Sequence, residues 1–159
     1  MSFNTKLPYF LNRTISRDIK LGEQLELSIL NKVIKKSFPK AVKIEGLCSE
    51  YDLWIPELEE GIEIKYDIAA KKTDNLFFES QHNGKKSGIN ITKSWLWLHY
   101  DGTWLFFFTS NSIKNMIKEN NIIEQIYRFD INDNRETRGY LVDKELCEEY
   151  AYKLVEYEL

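Results

Sequence analysis

Histidine, cysteine, proline and glycine are all scarce: 2 His, 2 Cys, 3 Pro and 7 Gly in 159 residues. Cys48 and Cys147 stand far apart without a CxxC spacing or a Cys/His companion, which excludes a zinc site and predicts free thiols, one or both buried, in a reducing cytosol. His82 and His99 lack the spacing of an HNH or zinc centre, so each is expected as a surface or hydrogen-bonded histidine. A Gly-rich phosphate loop and a Ser/His/Asp set are also missing. So few Gly and Pro residues leave little material for disordered linkers. No apolar run is long enough to span a bilayer, and the opening MSFNTKLPYFLNRTISRD lacks the pattern of a secretory signal, so no membrane partner and a cytoplasmic location are expected.

What is abundant is core material. A hydrophobic fraction of 43% and an aromatic fraction of 14% in 159 residues predict one packed domain over residues 1–159. The formal net charge of −3 counts at first against a nucleic-acid partner, but the charge is unevenly distributed. Residues 1–46 carry 9 basic and 4 acidic groups, residues 47–70 carry 1 and 7, residues 71–100 carry 5 and 2, and residues 101–159 carry 7 and 12. An acidic knot between two basic stretches suits a carboxylate metal site flanked by phosphate-holding lysines; an ordinary solvated mixture of charges gives the same pattern.

From Arg17 to Lys36, apolar residues recur at helical spacing until Phe38-Pro39 ends the run. AVKIEGL, YDLWIP and GIEIKYD then predict three strands, with PELEEG joining the last two. NLFFES (75–80) is a further expected strand, followed by the basic-tipped loop QHNGKKSG. SWLWLHY and TWLFFFTS flank Asp101-Gly102, a strong hairpin signal. Asn111 or Ser112 is expected to cap a helix running to about Asn121. A strand IIEQIYRFDI, a loop INDNRETRG, a short strand over 140–142 and a terminal helix DKELCEEYAYKLVEY opened by Asp143 complete the chain. Trp95, Trp97 and Trp104 can stack on bases, but in strands they are more often core. The order predicts a mixed α/β domain on one central sheet.

The chemistry concentrates in the second and third strands. Alternation in GIEIKYD sends Ile62, Ile64 and Tyr66 to one face and Glu63, Lys65 and Asp67 to the other; in YDLWI it separates Asp52 and Trp54 from Tyr51, Leu53 and Ile55. Pairing Ile55 with Ile62 would set Asp52 opposite Lys65 with Glu63 diagonal to it, near enough for two carboxylates to share an ion. Two carboxylates and a lysine suit phosphodiester cleavage, because hard oxygen donors bind Mg²⁺ or Mn²⁺ and an ammonium orients water or offsets charge on phosphorus. Both acids lie in apolar strands, where a purely structural carboxylate is costly. The alternative is an edge hairpin whose wet face carries Asp52 and Glu63, with Lys65 as a cross-strand ion pair.

The arrangement Y-D-L-W-I, then G-I-E-I-K, after a helix bearing G-E-Q-L-E, resembles the PD-(D/E)XK nuclease superfamily over roughly residues 18–110. The resemblance implies a restriction-endonuclease-like fold, a central mixed β-sheet flanked by helices. It also implies a divalent-metal-dependent DNA endonuclease with Asp52, Glu63 and the Ile64 carbonyl as metal ligands and Lys65 as the catalytic lysine. A helical glutamate completes such sites: Glu26, four residues after Gly22 and on the apolar helix face, is preferred over Glu23. T-D-N-L-F-F-E-S and K-K-S-G-I-N-I-T-K-S-W are similar to small phage-type members, which makes Glu79 a site residue and Lys85, Lys86, Ser87, Thr92 and Lys93 DNA contacts. The family proline before the first acid is absent; Tyr51 stands there. Size and the Gly22-to-Glu26 spacing resemble Holliday-junction resolvases, implying branched DNA, a homodimer and a bacterial or phage-infected cell. Alternatives are a restriction, repair or exonuclease enzyme of the same superfamily, a catalytically silent nuclease-fold module binding DNA or protein, or a plain interaction protein.

Overall fold

The computed structural model describes residues 7–45, 50–128 and 136–159. Helix α1 spans Leu7–Ile29, begins ten residues before the expected start, and runs through a π-helical turn, Leu30–Ile34, into the short α2, Lys35–Ser37. Pro8 is compatible with this longer helix because its missing N–H falls in the first turn, where that donor has no partner anyway. Leu25, Ile29, Leu30 and Ile34, the apolar stripe legible in the sequence, are all buried. The wide π turn keeps both Leu30 and Ile34 on the core side.

Three strands follow: β1 Val42–Lys43, β2 Leu53–Ile55 and β3 Glu60–Tyr66. The chain then forms the single-turn α3, Ala70–Thr73, and a hairpin of β4, Asn75–His82, and β5, Lys85–Lys86. The stretch expected as a basic loop is therefore largely this hairpin. Asn83 and Gly84 both adopt positive φ (50° and 76°), which a two-residue turn matching strand twist requires. A 3₁₀ turn at Gly88–Asn90 leads to β6 Leu96–Tyr100 and β7 Trp104–Thr109, joined at Asp101-Gly102 as expected. Asp101 closes that turn by accepting the Thr103 and Trp104 N–H groups, and it also pairs with Lys144 at 2.8 Å.

Helix α4, Ser110–Glu119, is capped by Thr109, whose hydroxyl accepts the Ser112 N–H; the cap thus sits two to three residues earlier than expected. Strand β8, Gln125–Arg128, begins three residues later than expected, with residues 129–131 of the expected strand outside the described residues, and β9, Glu136–Asp143, is longer than expected. Asp143 caps α5 as expected, but the helix stops at Tyr150. Lys153–Glu156 forms strand β10 instead of a continued helix, because the open edge of β7 supplies it with ladder hydrogen bonds.

Two sheets result, where one was expected. The larger has the order β1-β2-β3-β6-β7-β10 and is mixed: β3 and β6 run parallel, and the other neighbours are antiparallel. The smaller has the order β5-β4-β9-β8 and is antiparallel throughout. Helix α1 covers one face of the large sheet over Leu53, Ile62 and Leu98. The opposite face, through Trp97, Phe106 and Phe108, packs on Leu76, Phe78 and Val142 of the small sheet, with Ile113, Met116 and Cys147 from α4 and α5. A strand such as β6, with all five residues buried, can serve a core on each side, so apolar alternation alone did not reveal the second sheet. Among the described residues no helix is long and apolar enough to cross a membrane.

Candidate active site at the β2–β3 hairpin

Strands β2 and β3 pair with Leu53 opposite Ile62, two residues away from the expected Ile55–Ile62 register. Because the slip is an even number, the faces are preserved. The pairing is irregular at its start: the Asp52 N–H also donates to the Ile62 carbonyl at 2.9 Å, so residues 52 and 53 of one strand share one partner on the other, the arrangement of a β-bulge. Such a bulge re-aims a side chain. The Asp52 carboxylate reaches across to β3 and accepts the Ile64 N–H at 2.7 Å, next to Glu63, and does not stand directly opposite Lys65.

Glu63 is buried at 8% exposure, and its carboxylate lies 3.2 Å from the Lys65 ammonium. The two side chains share a strand face, as alternation requires, and Lys65 lies over the buried Trp97 ring at 6.0 Å from its centroid. Burial pushes the Glu63 carboxyl up to about 7, with the Asp52 charge adding to the rise and Lys65 opposing it. Asp52 is likewise raised by burial, against the Ile64 N–H and the Lys65 and Lys43 charges. Burial acts to discharge Lys65, but Glu63 and Asp52 outweigh it and hold the ammonium above its ordinary range. One buried and one half-buried carboxylate beside one ammonium therefore sit in a field that a further cation would relieve.

Of the two candidate helical acids, Glu26 is the one turned toward the hairpin. Glu23 is exposed, whereas the Glu26 side chain keeps only 18% of its accessible surface and pairs with Lys43 of β1 at 3.4 Å. Its carboxyl is raised by burial first and by the Asp52 charge second, and it in turn raises Glu63, which places it in the electrostatic reach of both acids. Lys43 competes for it, a partner that the sequence reading did not assign. Glu79 of β4 contributes to holding Lys65 charged and lines a groove of about 610 Å³ together with Lys65 and His99. Among the described residues, no three His, Cys, Asp or Glu side chains converge on one point as an ion-holding group.

The expected DNA contacts are dispersed. Lys85 and Lys86 are exposed on β5, pairing with His82 and Gln81; Gln81 lies two residues beyond Glu79 along β4, a rise of roughly 7 Å. Lys93 is tied to Glu50 at 2.7 Å, and the Thr92 hydroxyl accepts the Ser94 N–H. The Ser87 hydroxyl is buried with no hydrogen-bond partner among the described residues.

The chain Trp97–His99–Asp67 was missed. His99, expected as a surface or hydrogen-bonded histidine, is buried, and it stands opposite Lys65 in the parallel β3–β6 ladder. Trp97 Nε1–H donates to His99 Nδ1 at 3.1 Å, and His99 Nε2–H donates to Asp67 at 3.0 Å. Since an indole N–H can only donate, this is the neutral Nε2–H tautomer. Asp67 also accepts the Phe77 and Ala70 N–H groups; burial opposes its ionisation, but the His99 bond and these donors outweigh it and hold the carboxyl below its usual range. The sequence placed Asp67 on the Lys65 face, but only the parallel pairing brings His99 beside it. Cys147 is buried and free, Trp97 is core, and Trp95 and Trp104 are exposed; Cys48 lies outside the described residues.

No protein-family model matches this chain, and no curated protein or solved structure matches it.

Proposed function

We propose that the protein is a divalent-metal-dependent DNA endonuclease of PD-(D/E)XK type, with Asp52, Glu63 and Lys65 at its centre. The observation that carries this reading is the placement of the buried Glu63 carboxylate and the half-buried Asp52 carboxylate, which accepts the Ile64 N–H at 2.7 Å, beside the Lys65 ammonium 3.2 Å from Glu63. A salt bridge on a wet hairpin face, the rival account, would not bury Glu63 to 8% or raise both acids. The element order also supports the restriction-endonuclease-like fold: a helix, three antiparallel strands, then a strand parallel to the third.

The donor set fits a hard cation. Asp52 and Glu63 offer oxygens whose mutual repulsion Mg²⁺ or Mn²⁺ would offset, with the Ile64 carbonyl as a third ligand and Glu26 joining when Lys43 releases it. When bound, the ion would lower the pKa of water and polarise a phosphoryl oxygen. Lys65 orients the attacking water and offsets charge accumulating on the phosphate oxygens, a role that needs an ammonium on the Glu63 face. Glu79, lining the same groove, adds to the Glu63 and Asp52 charges that favour the ammonium. Trp97 lies under Lys65 at 6.0 Å, and His99 stands opposite it in the β3–β6 ladder.

The reading extends to branched DNA cut by a homodimer acting in a bacterial or phage-infected cell, with Lys85 and Lys86 contacting phosphates beyond Glu79. The deciding experiment incubates wild type and Glu63→Gln with supercoiled, linear, single-stranded and four-way-junction DNA, with and without Mn²⁺. Cleavage is expected only for wild type with the ion, most rapidly on the junction. No Mn²⁺-dependent cleavage of any of the four, or equal cleavage by Glu63→Gln, refutes the assignment.

A further inference from the structure

The groove next to Lys65 has no role in holding an ion, yet it opens directly from the same strand. It lies where β3 ends, between α1, α3 and β4, outside the carboxyl end of a strand in a mixed sheet, which is where open α/β sheets place ligands. Its volume, about 610 Å³, falls in the range that accepts one small organic group, roughly 300–1,000 Å³. Its apolar and aromatic lining comes from Tyr66, stacked on Tyr100 at 5.0 Å, from Phe77, edge-on to Tyr127 at 4.9 Å, and from Ile68, which leaves 43% of its surface exposed. No described residue covers Ile68, although the chain has buried apolar residues on both faces of its main sheet.

The polar residues of the groove divide by sign. Lys65 and the exposed Lys72 are its cations, and Asp18 and Glu79 are acids on its lining. The remaining polar walls are spent: His99 gives one ring nitrogen to Trp97 and the other to Asp67, and Asp67 accepts the Ala70 and Phe77 N–H groups besides. A ligand here meets the Phe77 and Ile68 side chains as an apolar wall, two cations for phosphate, and carboxylates able to accept from exocyclic amino groups. A nucleotide presents all three. A base within a duplex cannot reach such a wall, because both its faces are stacked; only an unpaired base can.

We infer that this groove binds one unstacked nucleotide of a DNA strand, its base against Phe77 and Ile68 and its flanking phosphates toward Lys65 and Lys72. The inference rests on the nuclease reading for the identity of the ligand and narrows it: the preferred DNA is one with an unpaired base next to the cut. Fully paired duplex lacks the group the groove takes. Among branched substrates, those with an extrahelical base at the branch gain most.

Anisotropy with Ca²⁺ as the cation tests it on three duplexes identical except at one position: fully paired, with a single-base bulge, and with an abasic bulge. The two bulges share flexibility and differ only in the base. Wild type should bind the base-bearing bulge about tenfold more tightly than either other duplex, the range expected for one base stacked on a protein wall. Ile68→Ala, an exposed position that the fold tolerates, should reduce that advantage at least about threefold, as should Phe77→Leu, which keeps apolar volume but removes the ring. Equal affinity for the two bulges, or no binding to any of the three, overturns the proposal, as does an advantage that survives both substitutions. Nicking of supercoiled plasmid with Mn²⁺ is scored separately, so a nuclease without base preference and a base-binding protein without cleavage are distinct results.

Discussion

Glu63 and Lys65 are adjacent on one strand face and make opposite demands on their surroundings. Glu63 loses solvation that Lys65 only partly replaces, so its carboxyl rises from an ordinary value of 4.5 to about 7. A raised carboxyl favours the folded state when protonated: that contribution is complete below pH 4.5 and is lost as pH rises through about 7. Without added metal, Glu63→Gln should therefore be more stable than wild type at pH 8, by about 1–3 kcal/mol or a Tm gap of roughly 3–10 °C, and the gap should close toward pH 4.5. Millimolar Mg²⁺ at pH 8 should narrow the same gap by raising wild type alone. Thermal melts of both proteins across that pH range check the sign. A variant less stable than wild type at pH 8 would mean that Glu63 is held by a structural ion pair. Lys65→Ala acts differently: it should lower cleavage by at least about 10²–10³-fold while far-UV circular dichroism stays unchanged. Full activity of that variant with Mg²⁺ present would remove the lysine from the mechanism.

The hairpin that carries these residues depends on a glycine facing an aromatic ring. A Cβ on Gly61 would lie 2.5 Å from the Tyr51 ring, which itself stacks toward Trp54 at 5.2 Å. Tyr51 occupies the position where the resembling superfamily carries proline, and it packs over Gly61 where strand β3 begins. Gly61→Ala should displace that ring, cost about 1–3 kcal/mol in urea unfolding, and disturb the bulge at Asp52. Combining it with Tyr51→Ala should recover part of the loss, since the contact responsible is then gone. If Gly61→Ala alone is neutral, the ring yields freely and does not help to hold the bulge. The strand ends show the same dependence on partners. Residues 153–156 follow a capped helix and read as its continuation, yet they become β10 because the β7 edge is open to them.

For the whole molecule, the decisive feature is that one mixed sheet has a core on each side. Helix α1 brings Glu26 from one face and β4 brings Glu79 from the other, so acids from two further elements act on the Asp52–Glu63–Lys65 cluster. A dimer is expected from the paired cuts that branched DNA requires; light scattering should give twice the 18.9 kDa chain mass at micromolar concentration. A monomer there, with cleavage intact, would turn the substrate assignment toward single cuts on flaps or bulges.

Local chemistry was legible before any coordinates. Alternation in GIEIKYD put Glu63 beside Lys65, Asp101-Gly102 marked a hairpin, and the stripe from Leu25 to Ile34 marked a buried helix face, because each depends only on backbone period and near neighbours. Everything that depends on pairing between distant segments was decided by the fold: the register that set Leu53 against Ile62, the second sheet, and the final strand. The neutral His99 locked between Trp97 and Asp67 belongs to the same group. The physical reason is that hydrogen-bond ladders satisfy any two backbones equally well. The choice among partners is made by which pairing buries the most apolar surface on both faces at once, a property of the assembled chain and of no single segment.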